Sequence, residues 1–252
     1  MELQEISWKE GIQLSEKIKT AVVPISACEQ HGAHLPLGTD FFILDCVQQA
    51  LKMDLGVDYP VFFLPIIPVG KSPEHLNYFG TISFSLSTIA AVMKDICSSL
   101  AKHGIKNIVF LNSHGGNSDL LKSISFDIRA DYDVFLYCIN ILGEEIWDSA
   151  FVNGLFPEVS YPEIHAGSLE TSVIAYFRPD LIRTVPGPFT PKKEFLSVPF
   201  GWRTEDLSED GTIGDPTFYS VEAGRKAVQY AVKKLHQIFD FITAEGSDLS
   251  RG

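Results

Sequence analysis

The chain has 252 residues, of which 45% are hydrophobic and 21% charged, with 32 acidic against 20 basic side chains and a formal charge of −12. That length can bury a large core, in one large α/β unit or two small ones, and the composition excludes extended disorder, so only 246–252 reads as a flexible tail after a single domain over 1–245. The acidic balance argues against a nucleic-acid partner, because such binding depends on basic clusters that release counterions.

Lys192-Lys193, the longest basic run, reads as solvated surface. No stretch approaches the ~20 apolar residues that cross a bilayer, and residues 1–20 have no apolar signal core. A soluble cytoplasmic protein without a membrane partner is expected. Cys28, Cys46, Cys97 and Cys138 form no CxxC pair and read as buried free thiols.

In chain order, short apolar runs bounded by turn residues alternate with longer segments of helical period. This pattern predicts βα units around a largely parallel sheet with helices on both faces. The predicted strands are 20–26 (TAVVPIS), 61–69 (VFFLPIIPV), 107–112 (NIVFLN) and 133–140 (DVFLYCIN), apolar enough to be covered on both sides. A helix over 85–104 opens on capping serines and closes on Gly104, with His103 as a helix-end residue. A last helix over 221–244 puts Val228, Ala231, Val232, Leu235, Ile238, Phe239 and Ile242 on one stripe and leaves His236 solvated. Residues 141–219, with eight prolines, read as irregular, the kind of stretch that forms a lid or a subunit contact.

Ligands of open parallel sheets bind beyond the carboxyl ends of the strands, and three polar clusters follow such ends or lie in comparable loops. "CEQHGAHLPLGTD" (28–40) holds Glu29, His31, His34 and Asp40; "NSHGGN" (112–117) holds His114; "HAGSLETS" (165–172) holds His165 and Glu170. Glu29 and His31 alternate in extended chain and so face one side. Asp40 reads either as a helix-start acid that complements the dipole or as a ligand. Imidazole and carboxylate donors without thiolates point to Zn, Mn or Fe at a hydrolytic centre. A carboxylate such as Asp40 can bridge two ions ~3.5–4 Å apart.

The residues also resemble a known family. "EQHGAHLPLGTD" resembles the Glu-x-His-Gly-x-His-Leu-Pro-x-x-Thr-Asp motif of the creatininase (creatinine amidohydrolase) family, and "NSHGGN", "HAGSLETS" and "GTIGDP" (211–216) resemble its later motifs in the same order. The resemblance runs from about Ile6 to Phe241. It implies one α/β domain assembled as a homohexamer, with two divalent ions as cofactors and cleavage of a C–N bond in a small-molecule or peptide substrate. By position it implies Glu29, His31, Asp40 and His114 as metal ligands, with Asp40 bridging. Creatinine-cleaving members carry a Tyr-Glu pair where this chain has Gly115-Gly116, and that glutamate is a ligand. Glu170 is the candidate replacement, as ligand or as a group acting on substrate.

Gly115-Gly116 and "GDP" place the chain nearer the branch with formamidopyrimidine deformylases and a peptide-trimming enzyme of redox-cofactor maturation. Phe79 stands where the family usually has proline, which alters the wall around Tyr78. The expected reaction is hydrolysis of an amide, cyclic amide or formamide by a water activated between two ions. His165 is expected to protonate the leaving nitrogen, and His34, Tyr78 and Gly115 to contact substrate. A serine hydrolase is disfavoured by the absence of a GxSxG turn. A metal-dependent isomerase or lyase, and a non-catalytic assembly protein, are the remaining rivals.

Overall fold

A computed structural model describes residues 1–159, 163–187 and 200–245. The 246–252 tail and Lys192-Lys193 lie outside the described residues. Four of the apolar runs form strands, all parallel: β1 (Thr20–Ile25), β2 (Val61–Phe63), β3 (Asn107–Asn112) and β4 (Phe135–Asn140), in the order β2-β1-β3-β4. Ile25 pairs with Asn112, which pairs with Asn140, so β1, β3 and β4 end level. Their carboxyl ends therefore open onto one surface.

The described α-helices are α1 (Trp8–Ser15), α2 (Thr39–Leu55), α3 (Leu86–Lys102), α4 (Gly115–Asp131), α5 (Ser149–Leu155), α6 (Ser168–Phe177), α7 (Thr204–Leu207) and α8 (Val221–Glu245), with short 3-10 turns at Leu3–Glu5, Pro73–His75, Pro179–Leu181 and Pro216–Phe218. Every residue of β1 and β3 is buried, yet the strand alternation still sorts them. Val22, Phe63, Val109 and Leu111 enter a core with α2, α6 and α8; Ala21, Val23, Ile25, Phe62, Ile108 and Phe110 enter a second core with α3 and α4. Helices thus cover both faces, as the continuous apolar runs require.

The second strand is shorter than its apolar run. Pro65 and Pro68 cannot donate to a ladder, so β2 stops at Phe63 and Ile67 alone rejoins the sheet, as a bridge to Ile25. The carbonyls of Val22 and Pro24 accept from Leu64 and Ile67 N–H on that side, at 3.0 and 2.9 Å. Pro24, whose ring lacks a donor, thus turns its nitrogen toward the interrupted neighbour. This is why a central strand tolerates it.

Helix α3 starts where the serines place it, with Ser85 Oγ accepting from Thr88 N–H at 3.2 Å, and ends before Gly104 at φ +82°. The α8 stripe is buried at Val228, Ala231, Leu235, Phe239 and Ile242. His236 is not merely solvated: its Nδ1 pairs with Asp54 of α2. All four cysteines are free, but only Cys46 and Cys97 are buried; Cys28 and Cys138 are half-buried. The described residues of the 141–219 stretch are less irregular than its prolines suggest, since they hold α5, α6 and α7.

Candidate metal centre

The three polar clusters converge beyond the level strand ends. Glu29 and His31 follow β1, Asp40 lies in the first turn of α2, His114 is the N-cap of α4, and Glu170 lies in the first turn of α6. All are buried: Glu29 and His31 are 1% exposed and Asp40 1%. Three sets bring their donor atoms within 4.8 Å of one another, namely Glu29/Asp40/His114, His31/Asp40/Glu170 and Glu29/His31/His165.

The two oxygens of Asp40 face different histidines. Oδ1 is 3.4 Å from His31 Nε2, and Oδ2 is 3.5 Å from His114 Nδ1. Glu29 Oε1 is 3.3 Å from His114 Nδ1, and Glu170 Oε1 is 4.0 Å from His31 Nε2. Donors ~2.0–2.1 Å from one tetrahedral ion lie roughly 3.3–3.4 Å apart, so these spacings suit pairs of atoms on a shared cation. Glu29 Oε2, His31 Nε2 and Asp40 Oδ2 are buried without a hydrogen-bond partner. Orphaned atoms of this kind are costly unless something else satisfies them.

Backbone carbonyls set which imidazole nitrogen faces the cluster. His31 Nδ1–H donates to the Glu29 carbonyl at 3.2 Å, which leaves Nε2 turned inward. His114 Nε2–H donates to the Lys71 carbonyl at 2.9 Å, which leaves Nδ1 inward. His165 Nε2–H donates to the Gln30 carbonyl at 2.6 Å, which again leaves Nδ1 inward. In each case the far N–H is anchored as in metal-ligating histidines, so that a lone pair can point at an ion.

The electrostatics are those of a buried cluster that must hold protons when no cation is bound. Burial pushes His31 down, but Asp40, Glu170 and Glu29 outweigh it and raise its pKa to about 9. For His114, burial is likewise overcome by Glu29 and Asp40, to about 10. Burial lifts Glu170 to about 7, and burial together with His31 and His75 holds His165 well below the usual imidazole range. His165 is thus neutral, with a free lone pair on Nδ1.

Among the other candidates, His34 is fully buried and its Nε2 pairs with Thr171 Oγ1 at 3.1 Å, on the residue after Glu170. Tyr78 is half-buried, and Gly115 is exposed, with open space where a side chain would stand. His75 was not singled out from the sequence. It is 2% exposed, stacks on His165 with ring centroids 4.4 Å apart, and puts Nε2 3.6 Å from Glu29 Oε1. Its one signal was placement: Glu74-His75 follows β2 as the other clusters follow their strands. Ala166, between His165 and Glu170, sits at φ +56°, and its N–H donates to Glu170 Oε2 at 2.5 Å. A non-glycine residue there costs on the order of 1–3 kcal/mol, and such strain gathers at functional sites.

A family profile described as creatininase, creatinine amidohydrolase, matches residues 4–239. The chain belongs to the creatininase family. Members of this family hydrolyse C–N bonds. The chain is 30% identical over 224 residues to a mycofactocin precursor peptide peptidase of Mycobacterium tuberculosis, covering 85% of this chain and 82% of that one. To a creatinine amidohydrolase of Pseudomonas putida it is 26% identical over 191 residues, covering 71% and 72%. A crystal structure of creatininase shares the fold, with a TM-score of 0.78, 24% identity and 97% of each chain covered.

In this creatininase-family chain the second motif has a steric reason for its glycine. A Cβ on Gly116 would stand 2.4 Å from His114 Nε2 and 2.5 Å from the Lys71 carbonyl. Those two atoms form the hydrogen bond that orients His114. A side chain at 116 and this hydrogen bond cannot coexist without a shift. A carboxylate does lie beside His31, that of Glu170 on α6, with Oε1 4.0 Å from His31 Nε2.

Proposed function

We propose that this chain hydrolyses an amide, cyclic amide or formamide C–N bond with two divalent ions, one held by Glu29, Asp40 and His114 and the other by His31, Asp40 and Glu170. The observation that carries the reading is the division of Asp40, with one oxygen toward each of two histidines whose inward nitrogens are set by backbone carbonyls. The orphaned buried atoms of Glu29, His31 and Asp40 fit the same assignment. Imidazole and carboxylate donors suit Zn, Mn or Fe.

Two ions bound there would supply Lewis acidity and a water of lowered pKa. The chain's own residues do the rest. Asp40 and Glu29 hold negative charge at the first site, and Glu170, held by the Ala166 N–H, does so at the second. His165, neutral and anchored through Nε2, takes a proton at Nδ1 and returns it to the leaving nitrogen. The burial of all these groups keeps bulk water out and strengthens each charge interaction.

Likeness to a peptidase across 85% of the chain favours a second reading of the substrate as a short or modified peptide. Both readings put solvent oxygen into the product as the C–N bond breaks, and an isomerase or lyase does not. The test is metal analysis of untagged protein followed by turnover of creatinine, a formamidopyrimidine and short peptides in ¹⁸O-water. The expected result is close to two ions per chain and ¹⁸O in the product; conversion without ¹⁸O overturns hydrolysis. A homohexamer in the cytoplasm is part of the same proposal, and mass measurement in solution tests the assembly.

A further inference from the structure

The amide of Gln30 has its orientation fixed by backbone partners on both sides. Its Oε1 accepts from Gly32 N–H at 2.9 Å, and its Nε2 donates to the Gly211 carbonyl at 3.1 Å. The same Nε2 lies 2.8 Å from His75 Nδ1. An amide –NH₂ can only donate, so His75 Nδ1 must accept and the ring proton must sit on Nε2. The Thr204 hydroxyl lies 2.7 Å from the same Nδ1 and 3.0 Å from the Glu74 carbonyl, to which it donates.

Gln30 acts in the opposite sense on the neighbouring ring. Its carbonyl takes the His165 Nε2–H at 2.6 Å and leaves Nδ1 bare. The two stacked imidazoles thus present opposite edges to the same oxygen, Glu29 Oε1: an N–H from His75 at 3.6 Å and a lone pair from His165 at 3.7 Å. Two lone pairs there would repel the carboxylate, and two N–H groups would leave no proton acceptor. One residue, Gln30, sets both.

We infer that His75 is a positioning residue for the metal centre, its Nε2–H tautomer locked by Gln30 so that the N–H dipole faces and orients the carboxylate of the ligand Glu29. With Nδ1 turned to Gln30, the Nε2–H faces Glu29 Oε1 at 3.6 Å, beyond direct hydrogen-bond length, so His75 acts on that ligand through the N–H dipole and is not itself a ligand. This rests on the two-ion reading above for its purpose, though the tautomer does not.

Two measurements test it. In ¹⁵N-histidine protein, long-range ¹H–¹⁵N spectra should give His75 the Nε2–H neutral pattern, with the signal assigned by its absence in His75→Gln. An Nδ1–H or doubly protonated ring overturns the inference, with or without ions. Chelator competition with Zn²⁺ or Mn²⁺ should then find binding weakened roughly 10–100-fold in His75→Ala, the cost of losing an outer partner of a metal ligand, and partly restored in His75→Gln, which keeps an N–H near that place. Unchanged affinity in a folded His75→Ala refutes the positioning role. Loss of one whole ion equivalent would instead make His75 a ligand, which also refutes it. Should His75→Ala fail to fold, Thr204→Val replaces it, and the tautomer measurement stands on the wild-type chain. A wild-type chain that binds no ion sinks the two-ion reading, while the spectra still judge the tautomer.

Discussion

Loading the metal-free chain with a divalent ion should release protons, in a number the site's geometry sets. Without a cation, the carboxylates facing His31 and His114 outweigh burial and hold these rings at about 9 and about 10. At pH 7.5 both therefore carry a proton on the nitrogen that points inward, where an ion would bind in the two-ion reading. Filling both sites displaces two protons, so the overall association constant rises about 100-fold, or about 2.7 kcal/mol, for each pH unit in this range. Glu170, at about 7, adds part of a third proton on the acid side of neutrality. Above about pH 10 the dependence should vanish, because nothing remains to displace. Calorimetric titration of Zn²⁺ into metal-free protein, in buffers of different ionisation enthalpy, counts the protons directly. A heat that does not vary with the buffer near neutral pH refutes the proposed ligand geometry.

The other outcomes follow from the same contacts. Asp40→Ala should abolish binding of both ions and all turnover, checked by metal analysis; a metal-replete, active variant is incompatible with a bridging carboxylate. His165→Ala should keep both ions and slow turnover on the order of 10²–10⁴-fold, and ion loss in that variant would move His165 into the ligand shell. Gly116→Ala should weaken ion binding and lower stability by about 1–3 kcal/mol as its methyl presses on the His114–Lys71 hydrogen bond, measured by denaturant melts with and without ions. For the metal-free fold, raised histidine pKa values mean stabilisation that is complete below the unfolded value of ~6.5. It is lost as pH rises through about 9 and 10. The melting temperature of metal-free protein should fall over that window, and that of loaded protein should not.

Much of this site was legible because its chemistry is carried by residue types with few other uses in such a pattern. Glu29, His31 and Asp40 lie close in the chain on a strand end and the following helix start, and local geometry alone brings them together. Glu170 was readable as a candidate through its own cluster and the missing glutamate at 116, but its approach to His31 depends on the packing of α6 against α2 and α8. His75 was less visible: its loop follows a strand that the prolines cut short, so neither periodicity nor a second nearby ligand marks it. The end of β2 at Phe63 has the same origin, because apolar composition predicts burial while Pro65 and Pro68 decide where donors are missing. The pairing of His236 with Asp54 across two helices could not be read from either helix alone.

The charge balance explains why the fold tolerates so costly a cluster. Glu29, Asp40 and Glu170 are buried together, and three ionised carboxylates at this depth would repel one another without cations among them. Protons on His31 and His114 relieve part of that repulsion in the metal-free chain. Two divalent ions would bring four positive charges against the three negative ones and free both histidines to be neutral ligands. Before the bound water loses its proton, the ions and carboxylates would then sum to one net positive charge. That is the sign that favours an anion developing on the attacked carbonyl over the neutral substrate, and so favours the transition state over the ground state. The neutral rings of His165 and His75 leave that balance unchanged while they present a lone pair and an N–H beside Glu29. A further carboxylate at position 116 would cancel the surplus as well as clash with His114. Gly116→Glu should therefore lower turnover more than Gly116→Ala does, and equal effects of the two variants would leave sterics as the whole cause.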